Sequence, residues 1–329
     1  VRRGDPRKAH EDARKLRRCA DQLKEGEFVQ SALLIGNGLN RCYKDSIPWD
    51  KLLERVAQKY NVRFNRNNPF PLEFESIANQ ILNSDKRNAD EVYSEIKSSI
   101  ASMVSSQEPN RGSLQELFTA TIPAYHILTT NYDYMLEKAY MAYAKAKPSE
   151  CDKSEKKYSL HRFEKCGDKT FYHIHGEAAK EKSLCLGYEH YAAYLAEMRK
   201  YLRASPAVSD RVLETSLPDK RSWVDLFFTH DIYILALTLD TNEIDLWWLL
   251  TYRAFLYYSN DAGLKSIMKN RVKIFLTDDG TKREKLLYKQ GLFHNLHVET
   301  ELVSVHDGNY EEAYKIIAQK IRQGISVRE

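Results

Sequence analysis

The sequence predicts an α/β fold: a doubly wound, Rossmann-like parallel sheet with helical insertions. Two observations carry this expectation. Short apolar runs of strand length alternate with longer stretches of helical periodicity along the 329 residues. Several of those runs also end abruptly in polar or glycine-rich strings, and the carboxyl ends of parallel strands are where open α/β sheets bind ligands.

Residues 1–28 open the chain as a basic arm, with nine Lys or Arg against five Asp or Glu in the first 26 positions. Leu16, Ala20 and Leu23 give it an amphipathic helical stripe. Phe28 to Ile35 reads as the first strand, and the following helix is delayed by Asp45-Ser-Ile-Pro48. Trp49, Leu52, Leu53, Val56 and Ala57 then form a helical stripe.

A helical insertion is expected at about 61–112, after a loop rich in Asn and Pro. Phe74, Ile77 and Ile81, then Val92, Ile96, Ile100 and Met103, repeat at helical spacing and read as one helical block. Leu114 to Ala120 is a short helix, Tyr125 to Thr129 a buried strand, and Met135 to Lys147 a helix. A charged loop over Lys153 to Lys157 precedes the strand Phe171 to Ile174.

A second insertion is expected at 188–221, with a helix over Tyr188 to Leu202 and a connection holding Pro206 and Pro218. Ile232 to Leu239 is the most strand-like segment, followed by a helix with Trp247 and Trp248. Val272 to Leu276 and Val298 to Val305 complete the strands. Lys282 to Gln290 and Tyr310 to Ile321 complete the helices.

Composition limits the function classes. Hydrophobic residues at 43%, charged residues at 29% and a net charge of +4 describe an ordinary globular protein and give no indication of nucleic-acid binding. The apolar stretch from Trp223 to Tyr258 is interrupted by charges at spacings that no bilayer span tolerates. No secretory pattern follows the basic start. Five cysteines without paired spacing suit a reducing compartment, so a cytoplasmic location is expected.

Three strings hold the candidate site. Ser31-Ala-Leu-Leu-Ile-Gly-Asn-Gly-Leu-Asn40 breaks a buried strand at Gly36 and Gly38, which would let a diphosphate approach the backbone, with the Asn37 and Asn40 amides as donors. Ile127-Leu-Thr-Thr-Asn-Tyr-Asp133 places Thr130, Asn131 and Asp133 just past a strand. Tyr172-His-Ile-His-Gly176 does the same with His175, where Gly176 would admit a substrate.

His173 shares strand parity with His175, but only His175 precedes the glycine. Imidazole titrates near neutrality and suits proton abstraction. The residues leave alternatives open. Asn131 or Asp133 also suits a helix cap near Tyr134, and a histidine at a strand end also serves as a satisfied structural group.

Together these strings resemble the nucleotide site of sirtuin-like proteins, and most closely the sirtuin-like NAD-cleaving proteins of bacterial anti-phage defence. A trailing Asp245 to Trp248 helix start shares in the likeness, which covers about residues 29–305. The resemblance implies one NAD-binding domain over 29–329. It implies that Asn131 holds the nicotinamide ribose and orients water, that Asp133 lies at the nicotinamide end, and that His175 is the base. It places Gly36, Asn37, Gly38 and Asn40 on the dinucleotide turn, with Thr130 and Gly176 beside it.

Leu235 to Asp240 resembles the segment near the adenosine ribose, which assigns Thr238 and Asp240 to cofactor binding, with Asp240, Asn242 or Glu243 as acceptor of the ribose hydroxyls or, equally, as a helix cap, although Ala236 stands where the family has glycine. The zinc ribbon of deacylating sirtuins needs two Cys-x-x-Cys pairs and none is present, so no metal is expected. The expected activity is hydrolysis of NAD+ to nicotinamide and ADP-ribose, as an abortive-infection effector. The resemblance further implies a homo-oligomer, with an activating phage protein or a partner ATPase as possible triggers. A protein deacylase or ADP-ribosyltransferase, and a catalytically silent nucleotide-sensing scaffold, remain open alternatives.

Overall fold

A computed structural model of the chain describes residues 30–43, 46–85, 87–151, 157–203, 222–258 and 268–326. The basic arm, the charged loop's first positions at 152–156 and the proline-containing connection at 204–221 lie outside the described residues. Eight strands form one sheet in the order β3-β4-β5-β2-β1-β6-β7-β8. Their ranges are β1 Ser31–Ile35, β2 His126–Thr129, β3 Pro148–Cys151, β4 Glu164–Cys166, β5 Lys169–His173, β6 Asp231–Leu235, β7 Val272–Asp278 and β8 Glu299–Ser304.

From β5 to β8 every neighbouring pair is parallel. The order β5-β2-β1-β6-β7-β8 is the doubly wound 3-2-1-4-5-6 arrangement, which reverses direction beside β1. The expected sheet is therefore present. Two antiparallel strands, β3 and β4, extend it beyond β5. The sequence predicts a helix through Lys147 there instead. The helix stops at Ala144 because Lys145 takes a left-handed backbone, φ 51°, and Pro148 then opens an edge strand, where its missing N–H costs nothing.

Helices cover both faces. On one face lie α6 (Tyr188–Arg203), α7 (Trp223–Thr229), α8 (Ile244–Tyr258) and α9 (Arg283–Asn295). They pack Met198, Phe227, Leu249 and Phe293 against Leu34, Leu128, Tyr172 and Ile234. The opposite face carries α4 (Leu114–Thr121), α5 (Met135–Ala144) and α10 (Tyr310–Ser326), which bury Phe118, Leu136 and Ile317 on Leu33, Ile127 and Phe171. Alternate residues of each strand thus serve alternate layers.

A third core belongs to α1 (Trp49–Lys59), α2 (Phe70–Asp85) and α3 (Ala89–Ser105). The continuous helical block expected over 74–103 is two helices, because Asn88 leaves helical geometry and its side chain accepts from the Asp90 N–H to start α3. This helical layer buries Leu53, Phe74 and Ile96 together with Tyr132, Ala178, Leu184 and Leu186. Those four belong to the loops beyond β2 and β5. The layer therefore lies over the carboxyl edge of the sheet, where the candidate site is.

Candidate functional site

The exits of β1 and β6 meet first. Gly36 N–H donates to the Leu235 carbonyl at 3.0 Å and Gly38 N–H to the Ala236 carbonyl at 2.8 Å. A Cβ on Gly36 would lie 2.4 Å from that Ala236 oxygen, and one on Gly38 would lie 2.7 Å from the Tyr314 hydroxyl and 2.8 Å from the Ala236 oxygen. The room left by these glycines is filled by the protein's own chain. These glycines are needed so that the two strand exits can pack. Ala236 itself takes φ 55°, the left-handed region that glycine at this position would adopt without strain. Asn37, half-buried at the same turn, has no side-chain hydrogen bond among the described residues.

Asn40 and Asp133, 93 residues apart, are brought into contact. The Asn40 amide donates to Asp133 Oδ2 at 2.9 Å and accepts from Gln115 Nε2 at 2.7 Å. Asp133 Oδ1 accepts from the Met135 N–H at 3.0 Å, so the helix-cap role left open for Asp133 is realised. Burial pushes the Asp133 carboxyl up to about 6. Both groups have partners within the fold. Thr130 is buried next to them.

Asn131 differs from Asn40 in one respect that matters. It is 2% exposed, yet among the described residues neither its Nδ2 nor its Oδ1 has a hydrogen-bond partner. Buried amides are rarely left so. Its backbone is fixed instead: the N–H donates to Thr129 Oγ1 at 3.1 Å, and the carbonyl meets His173 Nδ1 at 2.7 Å.

The two histidines part company. Thr129 pairs with His173 across parallel β2 and β5, so Asn131 and His175 each lie two residues past paired positions on adjacent strands, which run roughly 4.8 Å apart. Because β5 ends at His173 and Gly176 turns with φ 96°, strand parity does not carry through to His175. His173 reaches Glu137 on α5, Nε2 to Oε1 at 2.8 Å. His175 reaches Asp245 on α8, Nε2 to Oδ2 at 2.9 Å, with the Tyr191 ring edge-on at 5.4 Å. The expected shared parity is thus corrected; the pair serves opposite layers of the fold.

A short relay ties the Asn131 loop to His175. The Tyr132 hydroxyl donates to the Cys185 carbonyl at 2.6 Å, and the Cys185 N–H donates to the His175 carbonyl at 2.9 Å. A Cβ on Gly176 would lie 2.3 Å from the Ser183 carbonyl oxygen, so the missing side chain accommodates the returning chain.

Burial alone would lower the pKa of each histidine, but the paired carboxylates outweigh it and both are raised. For His173 the raise, due to Glu137 and the Asn131 carbonyl, reaches about 9 from the ordinary 6.5. Its contribution to stability is therefore fully present below pH 6.5 and is lost as pH rises through about 9. The urea midpoint should fall over that interval in the wild type, and a His173→Asn variant should show a flatter profile. Equal slopes would remove His173 from the account.

Thr238 and Asp240 lie past β6, on the loop that leads to α8. Thr238 is exposed and donates to Asp240 Oδ2 at 3.2 Å; Asp240 Oδ1 lies 2.7 Å from Lys289 Nζ and 3.3 Å from Lys285 Nζ. Desolvation of the half-buried Asp240 carboxyl is outweighed by these lysines, which hold it below the usual carboxylate range. A ribose hydroxyl would compete with two ammonium groups there. Sequence reasoning gave no role to Asp245, Gln115 or Glu137. Asp245 had a signal, a charge inside the apolar run around Trp247 and Trp248; the other two look like ordinary helix-surface residues until the sheet brings their partners to them.

A family model described as SIR2-like domain matches residues 125–217, a stretch that starts just before β2 and holds both Asn131 and His175. The chain is also similar to the NAD(+) hydrolase ThsA of Bacillus cereus (strain MSX-D12), with 24% identity over 184 residues. That alignment takes in 56% of this chain and 36% of the relative, so the chain matches about a third of that protein's length. Both similarities agree with the sirtuin-like resemblance of the three strings and with an NAD-related function. Among the described residues no helix is long and apolar enough to cross a membrane, and no group of three His, Cys, Asp or Glu side chains is placed to hold a metal ion.

Proposed function

With the sheet edge of a SIR2-like domain as its frame, we propose that the chain hydrolyses NAD+ to nicotinamide and ADP-ribose. The observation that carries this reading is the Asn131 amide, buried with both polar atoms unpartnered on the strand exit beside His175. Such an amide suits a ligand that both donates and accepts, as a ribose hydroxyl does.

The chemistry asks little beyond position. Asp245 Oδ2 accepts from His175 Nε2–H, which leaves the Nδ1 lone pair as the basic site. Water held by Asn131 loses a proton to that nitrogen while its oxygen bonds to the anomeric carbon of the nicotinamide ribose. The glycosidic bond breaks with its electron pair going to the nicotinamide ring nitrogen. Electrostatic stabilisation of the cationic ribose and exclusion of bulk water supply the rest. On the resemblance stated above, depletion of NAD+ would make the chain an abortive-infection effector in anti-phage defence.

The test is incubation of the purified chain with NAD+, with and without an acetylated peptide. Release of nicotinamide in both supports hydrolysis, release only with peptide supports protein modification, and binding without release supports a sensing scaffold. Phage challenge of cells carrying wild type or His175→Ala tests the defence role when an activator is needed.

Asp245→Asn gives a sharper readout. A base must be neutral to act, and the Asp245 carboxylate raises His175, so the acidic limb of the wild-type pH–rate profile should lie above pH 6.5. Removing the carboxylate should move that limb to lower pH while cutting the maximal rate by about a hundredfold. An unmoved limb would mean that His175 is not the titrating group.

A further inference from the structure

A groove of about 560 Å³ lies between α1 and α3 in the helical layer, and none of the three strings at the sheet edge lines it. That volume suits a small molecule better than a few waters. Arg55 and Lys59 border the groove from α1 and Ser98 and Ser99 from α3, while Val56 and Met103 contribute apolar wall.

Its charge is not balanced. Arg55 and Lys59 are both exposed and stand one helical turn apart, so two like charges are neighbours on α1, which a helix disfavours when no anion lies between them. Among the described residues Arg55 has neither an ion pair nor a side-chain hydrogen bond, and the Ser98 hydroxyl has no partner. Lys59 Nζ is turned across the groove, donating to Ser99 Oγ at 2.8 Å. Glu95 supplies a carboxylate to the lining, but that group already accepts from Arg87 at 2.8 Å and from the Tyr60 hydroxyl at 2.9 Å.

The surplus is therefore two cations with hydroxyl donors facing them from the other helix. A guanidinium presents its N–H groups as a fork that matches two oxygens of one anion, and an ammonium adds a point charge. A phosphate monoester carries close to two negative charges at neutral pH and three accepting oxygens, which suits donors arriving from two sides. The groove has room for more than the anion. Tyr60 is not a stacking platform for the remainder, because Lys59 and Arg87 already lie 5.2 and 5.8 Å from its ring centroid. The organic part needs only to be apolar, to lie along Val56 and Met103.

We propose that the groove between α1 and α3 binds a small-molecule phosphate monoester, its phosphoryl oxygens held by Arg55, Lys59 and Ser98. The inference is independent of NAD+ hydrolysis, since no residue of the strand exits takes part.

The test measures calorimetric binding of phenyl phosphate to the full chain, with inorganic phosphate and phenol as the separate halves of that probe. We expect wild type to bind phenyl phosphate more tightly than either half, and Arg55→Gln and Lys59→Gln each to weaken it about tenfold or more. Met103→Ser should weaken phenyl phosphate and leave inorganic phosphate unchanged. Arg322→Gln, which removes an exposed cation from α10, should bind as wild type does. Arg55 has no partner to lose, so Arg55→Gln should keep the wild-type melting temperature, and its binding loss cannot then be put down to unfolding.

A wild type that does not bind phenyl phosphate, phenol bound as tightly as its phosphate ester, unchanged binding by Arg55→Gln, or an equal loss in Arg322→Gln would each overturn the proposal. None of these outcomes bears on nicotinamide release.

Discussion

Asn131→Ala should reduce nicotinamide release from NAD+ by about a hundredfold to a thousandfold, the range found when one preorganised polar contact to a reacting centre is lost, and should keep or raise the melting temperature. The two halves of this expectation come from one fact. Neither amide atom of Asn131 is hydrogen-bonded, although the residue is 2% exposed. A buried, unsatisfied polar group costs roughly 1–3 kcal/mol, which truncation would recover against the packing it removes. Asn40 provides the contrast. Its amide is bonded to Asp133 and Gln115, so Asn40→Ala strands two buried partners and should destabilise by about 1–3 kcal/mol. Urea denaturation of both variants beside a nicotinamide assay checks the pair. If Asn131→Ala loses as much stability as Asn40→Ala and still turns over NAD+, Asn131 is a structural residue.

Gly176→Ala should destabilise the protein by at least about 3 kcal/mol, since two penalties coincide there. The backbone holds φ 96°, a conformation that side chains resist, and the new Cβ would lie 2.3 Å from a main-chain oxygen, that of Ser183. Main chain cannot swing aside as a flexible side chain would. Gly280 separates the two effects: its φ is 81°, but a Cβ there meets nothing within 4 Å. Gly280→Ala should therefore cost only the conformational part, about 1–2 kcal/mol. Chemical denaturation of the two variants measures the difference. Equal losses would show that the crowding at Ser183 carries no weight.

The doubly wound sheet was legible because parallel strands buried on both faces read as continuous apolar runs, as in Ala32 to Ile35 and Ile232 to Leu235. The expected position of the polar strings at the strand ends holds for the same reason. Strands β3 and β4 were not legible. Their sequences, Pro-Ser-Glu-Cys and Glu-Lys-Cys, carry no alternation; pairing of β4 with the edge of β5, and of β3 with β4, is what makes them strands. Short α7 was hidden inside an apolar run until Ser222 and Asp225 were seen to form a capping box.

At the site, residue types at strand ends could be read, but where their side chains go could not. Period-two reasoning applied to His173 and His175 fails once the strand ends between them. It could not foresee that one imidazole would meet Glu137 and the other Asp245. The glycines show a second limit. A sequence shows that a Cβ is absent at Gly36, Gly38 and Gly176, but only the fold shows that Ala236, Leu237, Tyr314 and Ser183 fill the room.

Tyr132 and Leu184 are counted in the core of the helical layer, yet they are also the immediate chain neighbours of Asn131 and of the Ser183–Cys185 return that braces His175. The α1–α3 layer is thus tied through its own core side chains to the two strand exits that carry Asn131 and His175, so substitutions that loosen that layer should also loosen both exits.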